Sequence, residues 1–219
     1  MAIVLCIETS TTNCSVSVTV DGKVVALKED NENSYSHAER LHIYIEEVLK
    51  QAQISKNKLQ AIAVSKGPGS YTGLRIGVSA AKGLCFALDI PLISVPTLQS
   101  LALQVKEETD FVIPMLDARR MEVYVAVFDK NLQQIQDTKA EILDENSFTE
   151  FLNQGIVTFI GNANDKLQSI CAHPNAVFLE EMLPSAREMA TIVDIKYKIS
   201  DIENVAYFEP YYLKDFMTN

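Results

Sequence analysis

The sequence predicts an α/β protein whose two lobes each follow the element order βββαβαβα. Short apolar runs typical of strands alternate with apolar stripes at helical spacing, and the same order of elements occurs twice. An offset of 109 residues aligns Glu8 with Asp117 and Val16 with Val125. The alternation of apolar and polar residues in the strand after each acid therefore coincides in the two halves. Self-similarity of this kind indicates an internal duplication.

The duplication decides how the 219 residues are divided. At roughly 100–200 residues per domain, this length suits one large domain or two small ones, and the repeat favours two. We expect an N-terminal lobe over residues 1–106 and a C-terminal lobe over residues 107–219. Periodicity is too weak past Glu203 to place the last segment, and its packing back on the first lobe is left open.

Each element of the first lobe follows from a local pattern. Residues 2–7 form a continuous apolar run, as in a strand buried on both faces. Strict alternation up to the turn Asp21-Gly22 predicts a hairpin. Ser36 and Glu39 have the spacing of a capping box. The predicted elements are strands at 2–7, 15–20, 23–28, 61–64 and 91–95, and helices at 36–53, 71–88 and from Thr97 onward.

The second lobe repeats this order with shorter helices. An apolar strand ends in Asp117, and a second strand alternates through Val123, Val125 and Val127. The remaining predicted elements are strands at 138–143, 156–160 and 177–179, and helices opening at Ser147, at Asn164 and at Ser185, where Glu188 completes a capping box.

Composition limits the class of protein. Lys and Arg number 19 against 29 Asp and Glu, a net charge of −10, which excludes an ordinary free-standing nucleic-acid binder because such proteins need a basic face. The four cysteines have no C-x-x-C spacing, and the first residues lack the charge pattern of a signal peptide. We expect a cytoplasmic protein with reduced thiols and no membrane association.

Two levels of resemblance emerge from these patterns. The duplicated order resembles the actin-like ATPase fold (ASKHA, ribonuclease H-like). Five local sequences narrow the resemblance, and in chain order they resemble motifs of the TsaB (YeaZ) family. They are I-E-T-S-T with C-S-V at residues 7–16, K-G-P-G-S-Y-T-G-L-R-I-G at 66–77, V-P-T-L at 95–98, L-D-A-R-R-M-E-V-Y at 116–124 and E-P-Y-Y-L-K at 209–214.

The resemblance implies a non-catalytic subunit of the bacterial complex that makes N6-threonylcarbamoyladenosine in tRNA. Such a subunit binds and activates a catalytic paralogue, TsaD, and an ATPase, TsaE, joins the assembly. The resemblance implies no activity and no cofactor of the chain's own, with ATP and metal on the partner subunits. It implies that the chain acts on tRNA indirectly, through its partners. It also allows a homodimer when the partners are absent.

The resemblance also implies a degenerate nucleotide site. Actin-like ATPases carry an acid and a glycine in each first hairpin, whereas both glycines are replaced here, by Ser10 and Arg119. Weak anion binding is one interpretation, and simple capping of strand ends and a tight turn before a helix is the other. The candidate residues are Glu8, Thr9, Gly67, Gly69, Ser70, Asp117 and Arg119.

Small residues suggest a partner-binding face on the N-terminal lobe. Gly73, Gly77 and Ala81 recur every four residues and leave one side of a helix bare, so that another backbone can approach. The neighbour is either an internal element or, as the family resemblance implies, a helix of the catalytic paralogue. The predicted interface residues are Leu41, Tyr44, Ile45, Val48, Gly73, Gly77, Ala80 and Ala81.

Other chemistries have little support in the sequence. His37 and His42 are five residues apart and diverge by about 140° around a helix, so they cannot share a metal ion. There is no H-E-x-x-H, no G-x-S-x-G and no Walker lysine. We predict no catalytic residue and no metal site. A free-standing ATPase or kinase, or a glycoprotease-like metallopeptidase, is the alternative.

Overall fold

A computed structural model describes residues 2–30, 37–180 and 182–214. It contains two compact units. The first comprises the described residues up to Ser100 together with Pro184–Tyr212, and the second comprises Leu101–Leu183 with the described residues that follow Tyr212.

The first unit is built on a five-stranded sheet in the order β3-β2-β1-β4-β5. β1, β2 and β3 are antiparallel neighbours, and β4 and β5 run parallel to β1. The elements are β1 (Ile3–Glu8), β2 (Cys14–Val20), β3 (Lys23–Asp30), α1 (His37–Gln51), β4 (Ala61–Gly67), α2 (Tyr71–Leu88) and β5 (Leu92–Pro96).

Helices cover both faces of this sheet. Alternate β1 side chains such as Leu5 and Ile7 form one core with the apolar stripes of α1 and α2, including Leu41 and Val78. A further helix of the unit comes from the distant segment. It packs against β5 and also contacts β1, β3 and β4. The predicted strand buried on both faces is therefore explained by helices on either side of β1.

The second unit repeats the sheet with the order β10-β9-β6-β7-β8. Its core includes Ile113, Val125, Phe151 and Phe159. The remaining elements of the chain are α3 (Thr97–Ala102), β6 (Phe111–Asp117), β7 (Glu122–Asp129), β8 (Gln134–Ile142), α4 (Thr149–Leu152), β9 (Val157–Ile160), α5 (Asn164–Gln168), β10 (Ala176–Leu179) and α6 (Met189–Lys198). Read in the opposite direction, the second order is β8-β7-β6-β9-β10, so β6 takes the place of β1 and each later strand takes the place of its counterpart in the first sheet. This match confirms the predicted duplicated actin-like fold.

The units do not divide at the predicted boundary after residue 106. The segment that returns to the first unit starts at Pro184 and brings α6 with it, whereas the sequence assigned this helix to the second lobe. Asn13 Nδ2 donates to the carbonyl of Pro184 (2.9 Å), and Ser17 Oγ donates to that of Ala186 (2.8 Å). Further along, Glu203 forms an antiparallel bridge with Leu92.

Some helix starts also differ from the prediction. The predicted cap Ser185 does not cap α6, because the helix begins only at Met189. The Ser185 hydroxyl instead accepts the Arg187 backbone N–H (3.1 Å) and donates to Glu29 (2.7 Å). α4 begins at Thr149 rather than near Ser147. The predicted capping residue Ser36 lies outside the described residues. Within the described ranges, no helix combines the length and the hydropathy that crossing a bilayer would require.

Candidate functional site

Glu8, at the end of β1, is a fully buried carboxylic acid. One oxygen, Oε1, accepts hydrogen bonds from the Ser10 backbone N–H (2.7 Å) and from Ser65 Oγ (2.8 Å). Burial raises the pKa of the Glu8 carboxyl, and the hydrogen bonds from Ser10 and Ser65 oppose this in part. Glu8 therefore caps the end of its strand, as in the alternative left open above, and it has no path to solvent for holding a hydrated ion.

The loop after Glu8 lies directly on the start of α2. The Ser70 backbone N–H donates to the carbonyl of Ser10 (2.6 Å), and Thr9 Oγ1 donates to the carbonyl of Gly73 (2.8 Å). A helix N-terminus is normally a good place for an anion, because its N–H groups lack partners. Here a carbonyl oxygen of the chain's own loop takes one of these N–H groups.

Three glycines make this close approach possible. A Cβ atom at Gly69 would lie within 3.0 Å of the Ser10 carbonyl oxygen, and one at Gly73 would collide with that of Thr9. At Gly77 the collision would be with Thr9 Oγ1. The bare stripe of α2 therefore accommodates the loop after β1. The prediction that Gly73 and Gly77 contact a partner subunit is wrong, because both are buried inside the unit.

Most other residues of the predicted partner face are also internal. Within the first unit's core, α1 and α2 direct them toward the sheet, and only Ala80 of the eight is not buried. The sequence pattern identified the apolar stripe of each helix correctly, and of the two neighbours left open for the bare stripe of α2, the internal element is the one present. The buried residues are Leu41, Tyr44, Ile45, Val48, Gly73, Gly77 and Ala81.

An open groove lies instead on the outer side of α1 and α2. Its volume is about 590 Å³, and a Cβ atom at Gly83 would meet nothing within 4 Å. Phe86 of α2 and Ile43 of α1 are 87% and 54% exposed. Exposed apolar surface of this kind is typical of protein-protein contact sites. The groove is lined by Ala38, His42, Arg75, Ile76, Ser79, Ala80, Gly83 and Leu84.

The C-terminal segment closes the first turn of α2. Arg75 stacks its guanidinium over the Tyr71 ring (4.1 Å to the centroid) and donates from Nε to the hydroxyl of Tyr212 (3.2 Å).

Tyr211 of the same segment lies against the end of β4. Its backbone N–H donates to the carbonyl of Lys66 (2.6 Å). Gly67 has φ +109°, and a Cβ there would lie 2.8 Å from the Tyr211 carbonyl oxygen. Sequence reasoning missed these contacts, whose only signal was the resemblance of residues 209–214 to a family motif.

The structure brings five of the seven predicted nucleotide-site residues together, around the start of α2. The other two, Asp117 and Arg119, belong to the second unit. Asp117 forms an ion pair with Lys166 (3.2 Å), and its Oδ1 accepts the Arg119 backbone N–H (2.6 Å). Its own N–H donates to Asn162 Oδ1 (2.9 Å). The acid is thus anchored at the end of β6, in the same position in its sheet as Glu8.

His37 and three of the cysteines are buried and serve packing. His37 is buried, its Nε2–H donates to the Thr11 carbonyl (2.7 Å), and burial lowers the pKa of its imidazole. Burial raises the pKa of the Cys6 thiol to about 12 and those of Cys14 and Cys85 to about 11. Across the described part of the chain, no three His, Cys, Asp or Glu side chains are grouped so that they could hold a metal ion.

Comparison with known proteins gives consistent relatives. The family model described as TsaD, tRNA N6-adenosine threonylcarbamoyltransferase, matches residues 31–207. The tRNA threonylcarbamoyladenosine biosynthesis protein TsaB of Escherichia coli K12 is 29% identical over 97% of this chain and 94% of its own length. The TsaB protein of Haemophilus influenzae is 34% identical over 55% of this chain, which spans 51% of that relative. The solved structure of YeaZ from Pseudomonas aeruginosa has the same fold, with a TM-score of 0.84, 24% identity and coverage of 97% of this chain and 100% of that one.

Proposed function

This chain belongs to the TsaD family and, within it, to the TsaB (YeaZ) family, and on that premise we propose that it is a non-catalytic subunit of the machinery that forms threonylcarbamoyladenosine in tRNA. In this role it binds and activates a TsaD-type catalytic subunit. ATP and metal are held by partner subunits, among them a TsaE-type ATPase, and tRNA is held chiefly by the partners. Without them, the same surface supports a homodimer.

The observation that carries this proposal is the occupied start of α2. In a catalytic actin-like unit, a glycine-rich turn of this kind leaves room for phosphate. Here Thr9 and Ser10 occupy that room, and the three glycines that face them leave no space for a second group. Glu8 is buried as well, so the unit has the fold of a nucleotide-binding protein but lacks an accessible phosphate-binding site. This supports a role in assembly rather than in turnover.

The outer groove of α1 and α2 is the surface we assign to the catalytic partner. It is apolar and open at Gly83, and the same two helices expose Phe86 and Ile43, which suits the packing of a partner's helices. A paralogue with the same duplicated fold has equivalent helices to offer. The proposed partner contact therefore uses a face of α2 different from the glycine stripe.

Reconstitution of tRNA modification from purified partners tests both parts of the proposal. We expect full activity only when this chain is present, and we expect Gly83→Arg to abolish both the complex and the stimulation. The variant should fold normally, because the side chain enters open space and replaces glycine in a helix interior. Gln168→Arg, at an exposed position of α5 in the second unit, adds the same charge and serves as the control.

Two results would contradict the proposal. Undiminished modification without the chain would remove its role in the pathway. ATP turnover by the isolated chain at a rate typical of enzymes would favour the free-standing ATPase instead. Intact binding by Gly83→Arg would reject only the groove as the partner surface.

A further inference from the structure

The turn between β6 and β7 displays two adjacent arginines. Arg119 and Arg120 both have a left-handed backbone, with φ 73° and 50°, and both side chains are exposed. The turn is closed by hydrogen bonds from the Ala118 N–H to the Glu122 carbonyl (3.0 Å) and from the Glu122 N–H to the Arg119 carbonyl (3.1 Å). Its conformation is therefore well determined by the flanking strands.

The backbone does not account for arginine at these positions. Residues with a Cβ atom are disfavoured at positive φ, and glycine or asparagine is the usual occupant. A pair of arginines here is a local conflict between residue type and conformation. Conflicts of this kind in an otherwise regular hairpin point to a role for the side chains themselves.

The surrounding charges leave both guanidinium groups available. The carboxylates at the base of the turn already have cationic partners, Asp117 with Lys166 (3.2 Å) and Glu122 with Lys214. Within the described residues, neither Arg119 nor Arg120 forms an ion pair. In a chain whose net charge is −10, two neighbouring exposed arginines without a carboxylate partner are a local exception.

We propose that Arg119 and Arg120 bind backbone phosphates of the tRNA, so that this subunit contacts the substrate directly through the turn between β6 and β7. The guanidinium group presents a planar set of donors that matches the oxygens of a phosphate, and it stays charged at every physiological pH. Two contacts cannot hold a tRNA alone, but they can orient one that the partners already bind. This inference rests on the proposed function and adds a substrate contact to it.

The test uses the double substitution Arg119→Asn with Arg120→Gly in the reconstituted complex. Both new residues tolerate positive φ, so the melting temperature of the chain should not fall. An unmodified tRNA transcript should bind roughly tenfold more weakly at moderate salt. The slope of log affinity against log salt should become shallower by roughly 0.7–0.9 for each lost phosphate contact. The KM for tRNA should rise while kcat at saturating tRNA is retained.

Two control variants separate charge from position. Arg119→Lys with Arg120→Lys retains the charges and should keep most of the salt dependence. Lys106→Asn with Lys130→Asn removes two exposed cations elsewhere in the same unit. If only net charge mattered, this second control would weaken tRNA binding as much as the loss of the arginines does, and the proposal would be overturned.

Further outcomes distinguish this inference from the proposed function. Unchanged tRNA affinity and salt slope in the Asn/Gly variant reject the contact, even if the chain still stimulates modification. Loss of binding to the catalytic subunit, with tRNA affinity intact, would assign the arginines to a protein contact and also reject it. Failure of the wild-type chain to stimulate modification would reject the proposed function, while the binding measurement would still decide the contact.

Discussion

Glu8 illustrates the residue scale, because its whole side chain is enclosed by the fold. A carboxyl group without solvent contact is more easily accommodated as the neutral acid, since burial of a charge without a cationic partner is unfavourable. The backbone of Ser10 and the hydroxyl of Ser65 satisfy one of its oxygens. Burial accordingly raises the pKa of this group above its ordinary value of 4.5.

This shift predicts a specific dependence of stability on pH. The folded state holds the Glu8 proton more tightly than the unfolded state, so the contribution of Glu8 is greatest below pH 4.5 and declines as the pH rises through the folded pKa. Glu8→Gln removes the titration but keeps the shape. The stability of wild type relative to this variant should therefore fall above pH 4.5, by at most about 1.4 kcal/mol per pH unit.

Urea unfolding of both proteins between pH 4 and pH 8 measures this difference. A difference that stays constant across the range would show that Glu8 titrates alike in the folded and unfolded chain, contrary to the burial described above. Ser65→Ala, which removes one hydrogen bond to the carboxyl, should lower the stability of both proteins without abolishing the pH trend.

At the scale of elements, α2 shows two kinds of glycine on one helix. Gly73 and Gly77 face the loop after β1 and are required by its proximity, whereas Gly83 faces open space. An interior glycine destabilises a helix by about 0.8–1 kcal/mol relative to alanine. At Gly73 and Gly77 this is offset by the packing and hydrogen bonds of Thr9. At Gly83 no internal contact offsets this destabilisation, which agrees with the proposed use of this surface for binding a partner.

Paired alanine substitutions test this division. Gly73→Ala should lower the free energy of unfolding by about 1–3 kcal/mol, because its Cβ collides with the Thr9 carbonyl, a backbone atom that cannot move alone. Gly83→Ala should raise it by up to about 1 kcal/mol. Thermal or urea unfolding of the two variants measures these changes. Equal changes in the free energy of unfolding at the two sites would contradict the division into an internal and an open glycine.

At the scale of the whole molecule, the first unit is completed by residues far along the chain. Segment 184–212 covers one face of the first sheet with α6 and attaches to the end of β4 through Tyr211. Lys196 Nζ also donates to the carbonyl of Ser94 (2.9 Å). Without this segment, the buried face of a five-stranded sheet would be open to water, which a small domain cannot tolerate.

Dividing the chain should therefore destroy the first unit. We expect a fragment of residues 1–106 to lack a cooperative unfolding transition, and a synthetic peptide of residues 184–214 to restore one when it is added. Circular dichroism and amide hydrogen exchange provide the measurement. A fragment 1–106 that unfolds cooperatively by itself would show that the sequence-based lobe, rather than the contact unit, is the folding unit.

Local patterns predicted most of the elements because periodicity and turn residues act over short distances. The hairpin at Asp21-Gly22, the helix over 71–88 and the repeat of strand order were all predictable on this basis. The helix start at Ser185 was not, because distant groups hold the chain there: Ser185 donates to Glu29, and Ser17 donates to the carbonyl of Ala186. Likewise, the strained turn at Arg119 has no local sequence signal.

The sequence alone determined the duplicated order of elements, the family motifs and the presence of small and apolar stripes on α1 and α2. Only the tertiary structure decided which neighbour each stripe meets. It assigned Gly73 and Gly77 to an internal loop, left Gly83 facing an open groove, and returned α6 to the first unit. The physical reason is that periodicity reports which side of an element is bare or apolar, whereas the identity of the group packed there depends on contacts between residues far apart in the chain.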